Sequence, residues 1–285
     1  MSLALASCGT IPPSVDSPPP AAADATPAAP DGSETAPVTP SDPPSKAPEP
    51  EPTPAPKPTP KPTPKGPDCR KLKCIALTYD DGPFPDEAAE LAQTLRTQRV
   101  KATFFMLGQN VHQYPEAVKD LASTGSELAN HSWNHPSLPG LGTDGMTSQL
   151  ERTNDAIAKV TGVRPTLMRP PYGSTNKRLD KVAQQLGLAE IFWNVDTEDW
   201  KNKNPDRLIN YVLDNAARDQ VVLMHDIHSS TVAAAPAIIR GLKADGYTLV
   251  TVSDLYPKLR PGGHYPKFAG KGLARERDYR LKRRG

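Results

Sequence analysis

Between positions 68 and 257, short runs rich in Val, Ile, Leu and Phe alternate with longer segments whose apolar positions recur at helical spacing. Runs bounded by turn residues read as strands, and segments of period 3.6 read as helices. The expected strands are Ile75–Tyr79, Ala102–Leu107, Glu127–Asn130, Thr166–Arg169, Ile191–Val195, Val221–Met224 and Thr248–Val252. The expected helices are Glu87–Gln98, Pro115–Thr124, Thr147–Thr161, Lys177–Leu186, Pro205–Ala217 and Val232–Ala244. Pro115 and Pro205 stand at first helical positions, where an N–H is not needed, and Gly125, Gly162, Gly187 and Gly246 follow helix ends. Strand and helix alternation predicts an α/β fold with a mainly parallel sheet. No glycine fingerprint of a dinucleotide fold follows the first strand. The pattern therefore predicts a distorted, incomplete (β/α) barrel of about seven strands, with its site at the carboxyl ends of the strands.

Composition divides the chain into three. Residues 1–67 hold 21 of the 34 prolines and no Phe, Trp or Tyr, so they lack the apolar surface needed to offset chain entropy and are expected to be disordered. The repeat through Lys57, Lys61 and Lys65 alternates proline with other residues and favours an extended polyproline spacer, a stalk. Residues 68–257 are long enough for one well-buried domain. Residues 258–285 carry ten Lys and Arg against Glu276 and Asp278, whereas the whole chain is only +2. Such a tail suits an anionic wall polymer or a membrane surface, could equally be a solvated terminus, and is not expected to be a nucleic-acid arm. No apolar run of about 20 residues occurs, so a spanning helix is not expected.

The three cysteines bear on compartment. Cys69 and Cys74 are a poor zinc pair without a second pair, and a small disulfide loop suits an exported protein, with two reduced thiols as the alternative. Leu5-Ala6-Ser7-Cys8 resembles a bacterial lipobox, although only seven residues precede Cys8, fewer than the apolar run of a secretory signal.

Polar residues collect where the expected strands end. Thr78-Tyr79-Asp80-Asp81-Gly82-Pro83 places two carboxylates side by side, and two adjacent anions call for a cation nearby. Alone, the same residues also describe an Asp-Gly turn with a spare surface carboxylate. His131-Ser132-Trp133-Asn134-His135 offers imidazoles at i and i+4, which share a face if the segment is helical, or are simply two surface histidines. One carboxylate with two imidazoles is the ligand composition of a catalytic metal site with open positions.

Taken together, these residues make the chain resemble the polysaccharide deacetylase family, also called carbohydrate esterase family 4 or the NodB homology domain. Five motifs appear in order: T-[FY]-D-D-G-P at Thr78–Pro83, H-[ST]-x-x-H at His131–His135, R-x-P-Y at Arg169–Tyr172, D-x-x-D-W at Asp196–Trp200 and L-x-H at Leu223–His225. The resemblance implies a barrel of the NodB type and a set of roles. Asp81, His131 and His135 would bind one divalent metal ion, Zn²⁺ foremost, with Co²⁺ or another divalent ion as alternatives. Asp80 would be the general base, held in position by Arg169. The backbone N–H of Tyr172 would join an oxyanion hole, and His225, supported by Asp199, would protonate the leaving amine. Trp200 and Leu223 would line the pocket for the acetyl methyl, with core packing as the alternative for Trp200. His228 matches no family motif and is expected at the surface or behind the site.

The family's substrates include peptidoglycan, chitin and acetylated xylan, which the motifs do not separate. A stalk, a lipobox-like quartet and a cationic tail predict an exported monomer on the outer face of a bacterial envelope. It would meet the membrane only through a lipid at Cys8, and would deacetylate N-acetylglucosamine of peptidoglycan. The alternatives are a chitin or chito-oligosaccharide deacetylase, an acetylxylan esterase, and a non-catalytic wall-binding module.

Overall fold

A computed structural model describes residues 66–266. The stalk with Cys8 and most of the basic tail lie outside the described residues. Nine strands form one sheet in which every pairing is parallel, curled into an open half-barrel. They are β1 (Lys73–Asp80), β2 (Thr103–Met106), β3 (Glu127–Asn130), β4 (Leu167–Met168), β5 (Ala189–Ile191), β6 (Val195–Asp196), β7 (Gln220–His225), β8 (Tyr247–Leu249) and β9 (His264–Tyr265). The order is β6-β7-β1-β2-β3-β4-β5-β9, and β8 pairs with the amino-terminal part of β1. The helices are α1 (Pro85–Gln98), α2 (Gly108–Gln113), α3 (Pro115–Ser123), α4 (Thr143–Thr161), α5 (Lys177–Gln185), α6 (Pro205–Asn215), α7 (Ser229–Ala244) and α8 (Val252–Leu255).

Both faces of the sheet are buried, which is why its strands read as nearly continuous apolar runs. Along β1, Ile75, Leu77 and Tyr79 point to the helix layer, with Leu91 of α1 and Ile238 of α7, while Cys74 and Ala76 point into the curl beside Phe105 and Val221. This two-residue alternation is that of any strand, but here neither side is wet. Val252 and Leu255 of α8 fill the interior of the curl. Met168 packs with Leu150 of α4 and Leu179 of α5 in a third cluster. At the helix ends, Gly125, Gly162, Gly187 and Gly246 all take positive φ, as their sequence positions predict. Asn176 and Asn204 cap α5 and α6 by accepting backbone N–H bonds. Among the described residues no helix is long and apolar enough to cross a membrane.

Two differences from the expected elements matter. Ile191–Val195 is not one strand: β5 ends at Ile191, β6 starts at Val195, and the two lie toward opposite ends of the strand order. The connecting Phe192-Trp193-Asn194 spans the seam of the open barrel, tied on one side by Phe192 N–H to Tyr265 O (2.6 Å) and on the other by Asn194 N–H to Val221 O (2.9 Å). The fold also continues past Pro257, since His264 and Tyr265 form β9 against β5. That split and that addition turn seven expected strands into nine. Cys69 and Cys74 are joined in a disulfide at the entrance to β1.

Candidate active site

The motif residues converge at the carboxyl ends of the strands. Asp80 ends β1, His131 follows β3, Arg169 follows β4, Asp196 ends β6 and His225 ends β7. Asp80 and His225 are register partners on neighbouring parallel strands, which sets their backbones one strand spacing apart, about 4.8 Å.

Asp81 turns away from the strand with φ 78°, a left-handed conformation that Asp tolerates better than most residues. The turn is braced by Asn110 of α2, whose amide donates to Asp81 O at 2.8 Å. The His131–His135 segment is not helical, so the two imidazoles do not meet by helical spacing. Ser132 (φ 69°) and His135 (φ 63°) bend it so that both rings face Asp81. Asn130 Oδ1 accepts the Ser132 N–H, and the Ser132 hydroxyl accepts the His135 N–H, which fixes those bends. His131 Nδ1 lies 2.8 Å from Arg169 O. A carbonyl only accepts, so Nδ1 carries the hydrogen, and in the neutral ring Nε2 presents a lone pair.

His131 Nε2 and His135 Nε2 stand 3.4 and 3.5 Å from Asp81 Oδ1. Asp81 Oδ1 is itself buried without a hydrogen-bond partner. Ligand atoms at about 2.0–2.2 Å from a tetrahedral ion lie roughly 3.4 Å from one another. Three donors at that spacing around an orphaned carboxylate oxygen fit a divalent cation. Burial would raise the Asp81 carboxyl, but His131 and His135 in their charged forms, with His225 beyond them, outweigh it and hold it well below the usual carboxylate range.

Arg169 is fully buried in the curl. It donates to Asp80 Oδ1 (2.6 Å) and Thr78 Oγ1 (2.9 Å) and, at the end of the neighbouring β5, to Ile191 O (3.2 Å) and Phe192 O (3.3 Å). Its guanidinium stacks 4.1 Å over Phe105. On the other flank, Asp199 accepts the His225 backbone N–H at 2.7 Å, contacts His225 Nδ1 at 2.7 Å and accepts the Thr231 hydroxyl. Burial alone would lower the His225 imidazolium. Asp199, helped by Asp80 and Asp81, outweighs it and lifts His225 to about 9.

Tyr172 has φ 61° and 62% exposure, with its ring edge-on to His135 at 4.5 Å. Trp200 is 44% exposed, which removes core packing as its explanation. Leu223 is buried in β7. His228 is half-buried at the start of α7, its ring 6.2 Å from that of His225, which places it beside the site rather than at a remote surface.

Asp226 went unrecognised in the sequence. It is buried, with Oδ1 unpartnered, and a Cβ on Gly82 would stand 2.2 Å from its Oδ2. Only glycine lets the Asp80-Asp81-Gly82 turn settle on this carboxyl. Burial, with Asp81 and Asp80 nearby, pushes Asp226 up to about 8. The one signal was a second acid directly after His225.

A sequence model of the family described as polysaccharide deacetylase matches residues 68–191. The chain is 43% identical over 200 residues to a peptidoglycan-N-acetylglucosamine deacetylase, PgdA, of Listeria monocytogenes, covering 70% of this chain and 42% of that protein. It is 42% identical over 183 residues to the peptidoglycan-N-acetylmuramic acid deacetylase PdaC of Bacillus subtilis, covering 64% of this chain and 38% of that one. The chain thus spans less than half the length of these curated relatives. The solved structure of the Bacillus subtilis peptidoglycan deacetylase PdaC superposes with a TM-score of 0.63 at 37% identity, over 75% of this chain and 97% of that one. The chain belongs to the polysaccharide deacetylase family.

Proposed function

We propose that this protein removes N-acetyl groups from a cell-wall polysaccharide, with N-acetylglucosamine of peptidoglycan as its substrate. The observation that carries the reading is the pairing of an Arg169-bound carboxylate, Asp80, with an Asp199-bound imidazolium, His225, on adjacent strands beside three converging metal-donor atoms. A divalent ion held by Asp81, His131 and His135, with Zn²⁺ foremost and Co²⁺ as the alternative, would supply Lewis acidity toward the amide carbonyl and acidify an attacking water.

The chain's own groups account for the proton traffic. Asp80 takes a proton from the water that attacks the acetyl carbonyl carbon. Arg169 keeps the Asp80 carboxylate pointed at that water by occupying its Oδ1. The Tyr172 N–H, for which the described residues provide no acceptor, is available to the carbonyl oxygen as charge develops on it. As the C–N bond breaks, His225 delivers its proton to the sugar nitrogen, so that acetate and an amine leave. An amine departs poorly unless protonated, and an imidazolium lifted to about 9 is a ready donor at neutral pH. Trp200 and Leu223 are assigned to the acetyl methyl pocket.

Peptidoglycan is favoured because both curated relatives are named for it, and the stalk and cationic tail suit an enzyme exported to the envelope's outer face. Those relatives differ in the sugar they are named for. The test is acetate release measured side by side on peptidoglycan fragments, chitopentaose and acetylated xylan with added Zn²⁺ or Co²⁺, the modified sugar being read by mass spectrometry. Faster release from xylan, or removal confined to N-acetylmuramic acid, overturns the substrate. We assign Cys8 as a lipid anchor and the active species as a monomer. Palmitate labelling of wild type against Cys8→Ala tests the first, and light scattering tests the second.

A further inference from the structure

A second set of donors lies outside the motif site. Asp180 sits in the first turn of α5, Glu190 in the middle of β5 and His264 in β9. Each offers one ligand atom, all within 4.8 Å of one another. His264 Nε2 is 3.1 Å from Asp180 Oδ1 and 3.7 Å from Glu190 Oε2. The Thr175 hydroxyl stands at 2.7 Å from Glu190 Oε2 and 3.1 Å from Asp180 Oδ1. These separations bracket the roughly 3.4 Å expected between ligands of one tetrahedral ion.

Several features hold the set in place. Glu190 and His264 are register partners in the β5–β9 pair, so their side chains leave the sheet on one face. Glu190 N–H donates to Gly263 O at 2.9 Å and Gly262 N–H to Leu188 O at 2.8 Å. Gly262, at φ 70°, lies so close to α5 that a Cβ there would stand 2.7 Å from Asp180 O, so the chain approaches only because it has no side chain at that point. Asn176 caps α5 one turn before Asp180.

The cluster also contains a buried carboxyl that the protein leaves short of a partner. Glu190 is 0% exposed, and while Oε2 receives the Thr175 hydroxyl, Oε1 is buried with no hydrogen-bond partner. An unsatisfied carboxylate oxygen in such a place carries a desolvation cost that a cation would remove.

We propose that Asp180, Glu190 and His264, with Thr175 beside them, form a second divalent-cation site, selective for a first-row transition ion of the Zn²⁺ kind. Imidazole favours such ions over Mg²⁺ and Ca²⁺. The bound ion ties β9, and with it the start of the basic carboxyl-terminal segment, to α5 and β5. No acid or base equivalent to Asp80 or His225 accompanies the cluster among the described residues, so the ion's role is to cross-link.

The test uses the full chain, stripped with chelator and titrated with ZnCl₂ alone in a calorimeter, with bound metal counted by atomic emission after gel filtration. Wild type is expected to hold two equivalents. Asp180→Asn, a shape-conserving change at a half-exposed position, should hold one. His135→Ala should also hold one, and the double variant none. Wild type with one equivalent and His135→Ala with none would overturn the proposal and leave an ordinary His–carboxylate ion pair. If Glu190→Gln fails to fold, Asp180→Asn and His264→Gln carry the test, each checked by circular dichroism. MgCl₂ and CaCl₂ should not occupy the second site at concentrations where ZnCl₂ does; equal occupancy overturns the selectivity. Acetate release by Asp180→Asn in saturating Zn²⁺ should match wild type, so failure of this site and failure of the deacetylase reading give separate signatures.

Discussion

The two donor clusters are alike in composition, each combining carboxylate with imidazole at spacings that fit one ion, but they are built differently. Asp81, His131 and His135 are gathered by backbone in unusual conformations, with positive φ at Asp81, Ser132 and His135. Asp180, Glu190 and His264 stand on a regular helix and two paired strands, and none of them has positive φ. The first cluster is ringed by Asp80, Arg169, His225 and Asp199, groups whose charges oppose and tune one another. The second has a hydroxyl and a glycine contact. Uncommon conformations persist only where surrounding structure over-determines them, and here they coincide with the cluster that has Asp80 and His225 beside it. Ligand composition alone does not separate a reactive centre from a cross-link; the company of titratable neighbours does.

That contrast breaks if substitutions at one cluster act like those at the other. The largest effect should come from Asp80→Asn, which is expected to lower kcat for acetate release by about 10²–10⁴-fold while leaving the Zn²⁺ count unchanged; unaltered turnover would refute its role as base. Arg169→Met leaves a buried Asp80 without its cation and should cost about 3–5 kcal/mol in urea unfolding, a loss without counterpart at the second cluster. Asp180→Asn should abolish the part of the Zn²⁺-induced rise in melting temperature that survives His135→Ala. For a single site at 100 times its Kd that part corresponds to a stabilisation of about 2.7 kcal/mol.

Asp199→Asn gives the subtlest result. His225 is protonated below about 9 because Asp199 outweighs burial, so kcat/KM should hold up to that pH and fall above it. Without Asp199's charge, burial dominates, and the falling limb should move to lower pH. A limb that stays in place means another group supplies the proton.

Much of this was legible in the sequence, for identifiable reasons. Every motif residue lies at the carboxyl end of a strand or just beyond it, and strands in the helix-covered part of the barrel announce themselves as apolar runs. The misreadings fall where tertiary contacts override local pattern. Ile191–Val195 looks like one strand because its residues suit a sheet, yet Arg169 and the neighbouring strands pull Phe192–Asn194 across the seam. The His131–His135 spacing would share a face only in a helix, and bonds through Asn130 and Ser132 bring both rings to Asp81 without one. β9 is hidden in a Gly- and Pro-rich stretch, and its two residues become a strand only through the edge that β5 offers. Asp226 is not legible because nothing local reveals that Gly82 rests on it.

The register pairing of Asp80 with His225 has a wider consequence. The separation between the proposed proton acceptor and the proposed proton donor is written into the hydrogen-bond ladder of β1 and β7, not into a loop. Tyr172 and Trp200, by contrast, project from connections at the rim. Changes at the rim would therefore alter what the proposed site accepts while leaving the spacing of Asp80 and His225 as the ladder sets it.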